Sequence, residues 1–359
     1  ADDAAMPMPD RVENAVEIRF DALDETAETV LETGAVVGPT VPLSVLSTVL
    51  DLPDPDLREY VDVLAGARVW ERVDDGRVRF VSDLVRETVL DRLGDDDRRD
   101  RHATVADALA ESDATRAATI AHHYAQAGDD ELALDYYRRA GDDALDVYAH
   151  EVAIENYEAA LELARELDAE DAVHDLLLSI GRSYFVRSDY DEAERHFEYV
   201  RERSDDPRTI MDAVYYLADM YSDHGEVDRA LECIETGLEQ WDGETATAAA
   251  CRLLSAEAWV RKQTGDLVRA LETARHERDL AEELDDKTLE ARALHDIANI
   301  EIDRGDLETA LERYERAGDV FDELGDRWRF SKALNNQGTV HWRRGDLEAA
   351  TDAFERCRE

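Results

Sequence analysis

From about Thr115 onward, small, apolar and polar positions recur in one order. A small residue is followed seven residues later by Gly-Asp or its equivalent, and five residues after that by alanine, then by an aromatic or aliphatic residue. Ala310, Tyr314 and Ala317 fall on one face of a helix at spacings of four and three. This pattern predicts a helix, a tight turn and a second helix. Gly supplies the stop with positive φ, and the Asp or Glu after it begins the next helix, where it caps N–H groups and meets the positive dipole end. The first 112 residues read differently. "DETAETVLETGAVVG" and "PLSVLSTVL" predict short helices, and "DPDLREYVDVL" predicts a third, with Asp54 as N-cap and Pro55 at the first helical position. "ARVWERVDDGRVRFVS" alternates and predicts a β-hairpin turning at Asp75-Gly76. Two more helices follow, "LVRETVLDRL" and "DRRDRHATVADALAES". Three helices, a hairpin and then helix form a winged-helix pattern.

The helical pattern is periodic. Gly225, Gly265, Gly305 and Gly345 are forty residues apart, with Ala230, Ala270, Ala310 and Ala350 after them and Ala218, Ala258, Ala298 and Gly338 before. "SDYDEAERHFEYV" matches with Ser188 in place of Gly, and Gly128 starts another match with Ala133, Tyr137 and Ala140. The "RGD" at Arg304 and Arg344 is therefore repeat punctuation and not an adhesion signal. Paired small residues let antiparallel helices approach closely, and one hairpin cannot bury its apolar face alone, so neighbours must stack. Between Ala133 and Ala153 the spacing drops to twenty, which predicts two successive helices, one of them shared between neighbouring units.

On these residues the chain resembles the tetratricopeptide repeat family. Ala298, Gly305, Ala310, Tyr314 and Ala317 follow its pattern, as do Ala218, Tyr221, Gly225 and Ala230. The period departs from the family's, about forty residues in place of about 34. Longer helices account for it, since "ERDLAEELDDKTLE" is rich in helix formers. A winged helix followed by such repeats also resembles signal-transduction ATPases of the AAA/STAND type, which place this pair after the ATPase core. "MPDRVENAVEIRFDALDETAETVLETGAVVG" is similar to the segment entering their winged helix, and "VRFVSDLVRETVLDRLGDDDRRDRHATVADAL" to its exit. Phe80 and Arg86-Glu87 are present there, but Ser82 and Asp83 stand where that family has histidine.

Charge sharpens the picture. The chain has 88 acidic residues against 41 lysines and arginines, a net charge of −47, and three lysines in all: Lys262, Lys287 and Lys332. This resembles proteins of extreme halophiles, and the expected compartment is a high-salt cytoplasm. At about 1 M salt the Debye length falls to roughly 3 Å, so self-repulsion of an acidic surface is screened. The acidity disfavours a phosphate-binding surface. The helix that would enter a major groove, about 56–65, carries Asp56, Glu59 and Asp62 against Arg58, while the wing offers Arg72, Arg77 and Arg79.

No apolar run reaches the ~18–20 residues of a membrane span, and the acidic start "ADDAAMPMPDRVENAVEI" has no signal-peptide core. Cys233, Cys251 and Cys357 form no CxxC pair and read as buried thiols. No Gly precedes Lys anywhere, which removes the phosphate-loop motif, and "GAVVGPT" lacks its lysine. His122 and His123 point about 100° apart on a helix and read as packing or surface residues. No catalytic, cofactor-binding or metal-ligating residue is identified, and no cofactor is expected.

The sequence thus predicts a mainly α protein: a winged-helix-like domain over residues 1–112, then an α-α superhelical solenoid over 113–359 of about six units. It reads as a non-enzyme, an interaction scaffold or regulatory sensor that binds a peptide or protein partner. The alternatives are a DNA-binding regulator using the winged helix, or the regulatory half of a larger ATPase. The start at Ala1 and the stop after a second helix suit such a portion; a standalone protein is the other reading. The tetratricopeptide resemblance implies a groove lined by first helices. Mapped onto the last three units it contains Arg252, Trp259, Lys262, Gln263, Arg292, His295, Asn299, Lys332, Asn335, Trp342 and Arg343. The implied partner carries an acidic or C-terminal segment, held by Lys, Arg and Asn. The charge also makes folding salt-dependent: the melting temperature should rise between dilute buffer and molar KCl, and a flat thermal scan across that range would contradict it.

Overall fold

The computed structural model describes residues 20, 23–111, 116–243 and 245–358. The segment up to residue 19, which resembles the entry to a winged helix, and the expected boundary at 112/113 lie outside the described residues. The chain divides into two compact units, Ala1–Glu170 and Asp171–Glu359.

The first unit opens with α1 (Glu25–Val37), β1 (Thr40–Pro42), α2 (Leu43–Leu50), α3 (Asp54–Gly66), β2 (Trp70–Asp74) and β3 (Arg77–Phe80). The Asp24 side chain starts α1 by accepting from Ala27 N at 2.8 Å. The expected hairpin turns at Asp75-Gly76. A third strand joins it: β1 pairs antiparallel with β3, giving the order β1-β3-β2. Three residues without alternation left β1 illegible, yet Val41 is fully buried. In α3 the cap lies one residue earlier than expected, at Pro53. Asp54 and Pro55 are therefore both inside the first turn, and Asp54 acts through the helix dipole, not as a cap. Gly34, in "GAVVGPT", is buried in α1 beneath Trp70, where a Cβ would sit 2.4 Å from the ring. That glycine exists for packing, not for phosphate.

Helices α4 (Asp83–Arg92) and α5 (Asp95–Ala110) close this part. Ser82, standing where the resembled family has histidine, is the N-cap of α4 and accepts from Val85 N at 3.3 Å. Arg86 ties α4 to α1 by donating to the Ala35 carbonyl at 2.8 Å. One core, centred on Val30, Leu31, Leu46, Leu57, Val61 and Trp70, joins helices and sheet.

Three long helices complete the unit: α6 (Ala117–Ala127), α7 (Asp130–Asp146) and α8 (His150–Glu166). α7 is the shared helix. It follows Gly128 (φ 82) as the second member of one hairpin. It then precedes Tyr148 (φ 59) as the first member of the next. A Cβ on Gly141 of α7 would meet the Tyr157 ring of α8 at 2.3 Å.

The second unit contains α9 (Glu170–Val186), α10 (Tyr190–Arg203), α11 (Pro207–Asp223), α12 (Val227–Leu238), α13 (Ala248–Gln263), α14 (Leu267–Glu283), α15 (Lys287–Arg304), α16 (Leu307–Glu323), α17 (Arg327–Arg344) and α18 (Leu347–Arg358). The forty-residue period resolves into two equal steps. Gly265, Asp285, Gly305, Gly325 and Gly345, twenty apart, all hold positive φ. The helices between them have 17 or 18 residues, which is how forty residues are accommodated. After each turn an aspartate begins the next helix; Asp266, Asp326 and Asp346 accept from Arg269 N, Arg329 N and Ala349 N at 3.2, 3.0 and 3.2 Å.

Pairing within a hairpin follows one rule. The small residue seven before the turn faces the residue sixteen further on. Gly181 faces Phe197 and Gly338 faces Phe354, and a Cβ on either glycine would lie 2.6 Å from the ring. Larger neighbours then fill small core patches between helices, such as Ala298, Ala310, Leu311, Tyr314 and Val340. Phe197 is fully buried, so its ring has no free volume into which to retreat. Gly181→Ala should therefore destabilise by about 1–3 kcal/mol in chemical denaturation, as overpacking does, and the added Phe197→Leu change should recover part of the loss.

Candidate functional site

In the second unit the first helices of successive hairpins line a cavity of about 470 Å³. α11 contributes Tyr215, Tyr216, Asp219 and Asp223; α13 contributes Arg252, Ser255, Ala256 and Trp259. Arg292, His295, Asp296 and Asn299 come from α15, Phe321 from α16, and Trp328, Arg329 and Lys332 from α17. Spacings of three and four put each helix's contribution on one face.

Six of the sequence-mapped residues meet here: Arg252, Trp259, Arg292, His295, Asn299 and Lys332. Five do not line the cavity. Lys262 pairs with Asp303 at 2.8 Å and lies over the Trp259 ring. Asn335 is exposed on α17. Trp342 is 63% exposed near the end of that helix, and Arg343 is exposed with its guanidinium donating to the Ile302 carbonyl at 3.4 Å. Gln263, mapped with them, donates to Ser222 Oγ at 2.7 Å. The sequence mapping missed Trp328 and Arg329, at the very start of α17, and, being confined to the last three units, left out Asp219 and Asp223 of α11. The stacking brings α11 to the same cavity as α17, so those aspartates face the later helices.

Most of the cations are answered within the protein. Arg252 pairs with Asp212, and Arg329 with Asp326. Arg292 lies among Tyr215, Asp296 and Glu277. Burial works against the Asp296 carboxylate, but hydrogen bonds with His295 and Ser255 and the charge of Arg292 outweigh it, so its pKa is lowered; Ser255 Oγ donates to it at 2.6 Å. Asn336 Nδ2 lies 3.0 Å from His295 Nε2, and Tyr314 donates to Asn299 Oδ1 at 2.7 Å. Behind this layer Glu277 is fully buried, and neither carboxylate oxygen has a hydrogen-bond partner among the described residues. Burial, with Asp296 adding to it, raises its pKa well above the usual range against the pull of Arg292.

Asp219 and Lys332 differ from their neighbours. Neither has an ion pair among the described residues; Lys332 Nζ sits 5.2 Å from the centre of the Trp328 ring. Burial and then Asp223 push Asp219 up to about 6, while Lys332 and Arg292 pull the other way. The site is thus acidic on the α11 side and basic on the α17 side, with indole and phenol rings between.

Elsewhere, His123 is buried with Nδ1 2.9 Å from His102 Nδ1, and desolvation lowers both, to about 4 and about 3. They are neutral packing residues, and no cluster among the described residues could hold a metal. Cys233 and Cys251 are buried as expected, their thiols pushed up to about 11 by desolvation, while Cys357 is only half-buried. No helix among the described residues is long and apolar enough to cross a membrane.

Helix hairpins of this register, stacked so that first helices line a groove, define a tetratricopeptide-type solenoid. Residues 289–359 match the tetratricopeptide repeat family. A solved Signal Transduction ATPase with Numerous Domains from Pyrococcus horikoshii, described as having a tetratricopeptide repeat sensor, superposes over 99% of this chain and 53% of its own, at TM-score 0.63 and 14% identity. This chain therefore spans about half the length of that protein. The quorum sensor NprR from B. thuringiensis matches over 97% of this chain and 91% of its own, at TM-score 0.56 and 12% identity. Response regulator aspartate phosphatase J of Bacillus subtilis is 28% identical over 104 residues, 28% of each chain.

The half-buried Asp219 sets a pH dependence. Its folded pKa lies above the ordinary 3.8, so its contribution to stability is fully present below about pH 4 and is lost as pH rises through about 6. A displacement from 3.8 to about 6 corresponds to on the order of 3 kcal/mol. Relative to the parent, Asp219→Asn should gain up to that amount between about pH 4 and pH 7.5 in paired denaturant titrations. A difference independent of pH would contradict it.

Proposed function

We propose that this chain is a non-catalytic regulatory sensor or interaction module whose second-unit groove receives a peptide segment of a partner. The observation carrying this is the 470 Å³ cavity, lined by Trp259, Trp328, Tyr215 and Tyr216 and edged by charges the protein leaves unmatched. Its size suits a few residues of extended peptide, and rigid aromatic rings supply contact area at low entropic cost. An acidic side chain or terminal carboxylate of that segment meets Lys332, which is the part of the expected acidic-partner reading that the geometry favours. The sensor and quorum-sensor descriptions of the similar structures support a regulatory role. The match over nearly the whole chain to one portion of a signal-transduction ATPase favours the same role as the sensing part of a larger assembly. In this reading residues 1–112 are a winged-helix-like domain that joins the repeats to their effector.

DNA binding is the weaker alternative. The wing arginines are spent on neighbours: Arg72 on Asp62 at 2.6 Å, Arg77 on Asp74 at 2.7 Å and Arg79 on Glu71. Few cations remain there to release counterions from a duplex.

Tryptophan emission tests the groove. Titration with a pooled random-peptide library should change the emission of the parent chain. Trp259→Phe and Trp328→Phe should each remove part of that change, and Trp342→Phe, outside the cavity, should leave it intact. A response lost only in Trp342→Phe would move the site elsewhere.

A further inference from the structure

The cavity's charges sort into two groups. Arg252, Arg329 and Asp296 have partners within the fold, and Arg292 is held between acidic neighbours. Asp219, Asp223 and Lys332 have neither an ion pair nor a side-chain hydrogen bond among the described residues, although all three line the cavity. Asp219 and Asp223 are one helical turn apart on α11, so they present one face. Lys332 stands on α17 and is close enough to lower the pKa of Asp219. Asp219 is also partly buried, so the desolvation that a bound cation would demand of its carboxylate is largely met in the folded protein.

We propose that the groove reads a short peptide by its free amino terminus, the α-ammonium resting on Asp219 and Asp223 while a carboxylate of the same peptide reaches Lys332. This rests on the peptide-groove reading above and adds the chemistry of recognition. An ammonium has three N–H donors and no acceptor, which suits two carboxylates with nothing else to accept. A purely acidic guest would leave Asp219 and Asp223 facing it with like charge, and a purely basic one would face Lys332. A compact ligand carrying both signs satisfies both walls, and the rings of Trp259 and Trp328 cover its side chains. A metal ion does not suit the same acids, since no metal-holding cluster exists among the described residues.

The groups facing Asp219 set the pH response. They are Asp223 and Tyr215 on its own helix, Arg292 on α15 and Lys332 on α17. The acids there raise the pKa of Asp219 and the cations lower it. A bound ammonium adds to the cations, so binding should weaken below about pH 6 as the carboxylate takes up a proton.

The test uses the full chain, immobilised in molar KCl, and three pools of random tetrapeptides: free at both ends, N-acetylated, or C-amidated. Retained peptides are counted by mass spectrometry. The free pool should be retained about tenfold over the acetylated pool at about pH 7.5, with the preference shrinking at about pH 5. Asp219→Asn and Asp223→Asn should remove the preference for a free amine, and Lys332→Met should remove the preference over the amidated pool. The comparison of pools on the parent chain needs no variant, so a variant that folds poorly does not weaken the test. Equal retention of free and acetylated pools would overturn the amine inference while leaving the groove reading intact, and so would retention that depends only on internal Lys or Arg. Retention of no pool would overturn both.

Discussion

The architecture depends on one contact: a residue without side-chain bulk pressed against a ring or branched chain sixteen positions later. Gly141 beneath Tyr157, Gly181 beneath Phe197 and Gly338 beneath Phe354 are the extreme cases, where even a methyl group has no room. The contact fixes how closely two helices approach and where along their length they cross. Once that is set, the left-handed turn residue falls seven positions after the small residue, and in the Gly-Asp turns the next helix starts at the following acid. Length, turn chemistry and capping then follow from a single packing event repeated along the chain, and local and tertiary preferences agree at the Gly-Asp turns.

That agreement is why so much of the solenoid was legible. Gly-Asp at fixed intervals named both the turn and the cap, and the drop to twenty residues after Ala133 located the shared helix α7 between Gly128 and Tyr148. What stayed hidden was the second class of turn. Tyr148, Asp168 and Asp285 adopt the conformation that glycine adopts elsewhere, and nothing in their identity announces it except that aspartate tolerates it better than most. In the first unit, β1 was too short to alternate, and the boundary of α3 slipped by one residue because a proline cap cannot be told from an aspartate cap by composition.

The groove was half legible. Residues on α13, α15 and α17 were mapped from the resemblance to tetratricopeptide repeats and the register of the units, and Arg252, Trp259, Arg292, His295, Asn299 and Lys332 do come together. Register cannot say which charges are already paired, because the partners come from other helices. Asp212 answers Arg252 from forty residues earlier and Asp303 answers Lys262 from forty-one residues later. Nor can it say that Asp219 faces Lys332, since that depends on the sum of several interhelical angles. The charged residues named in the mapped set were all basic, whereas the folded site has walls of opposite sign.

The equal twenty-residue step has a mechanical consequence. Asp219 and Lys332 sit on helices separated by five others, so the gap between them is the accumulated output of every joint from α11 to α17. A small rotation at Gly225, Gly265, Asp285, Gly305 or Gly325 is carried forward by the helices beyond it, each acting as a lever arm of about 25 Å. The width of the groove is therefore governed at a distance. A change of a few degrees at a turn that touches no ligand resets the spacing of the two charges, and a guest that fixes this spacing exerts its pull on every joint between them.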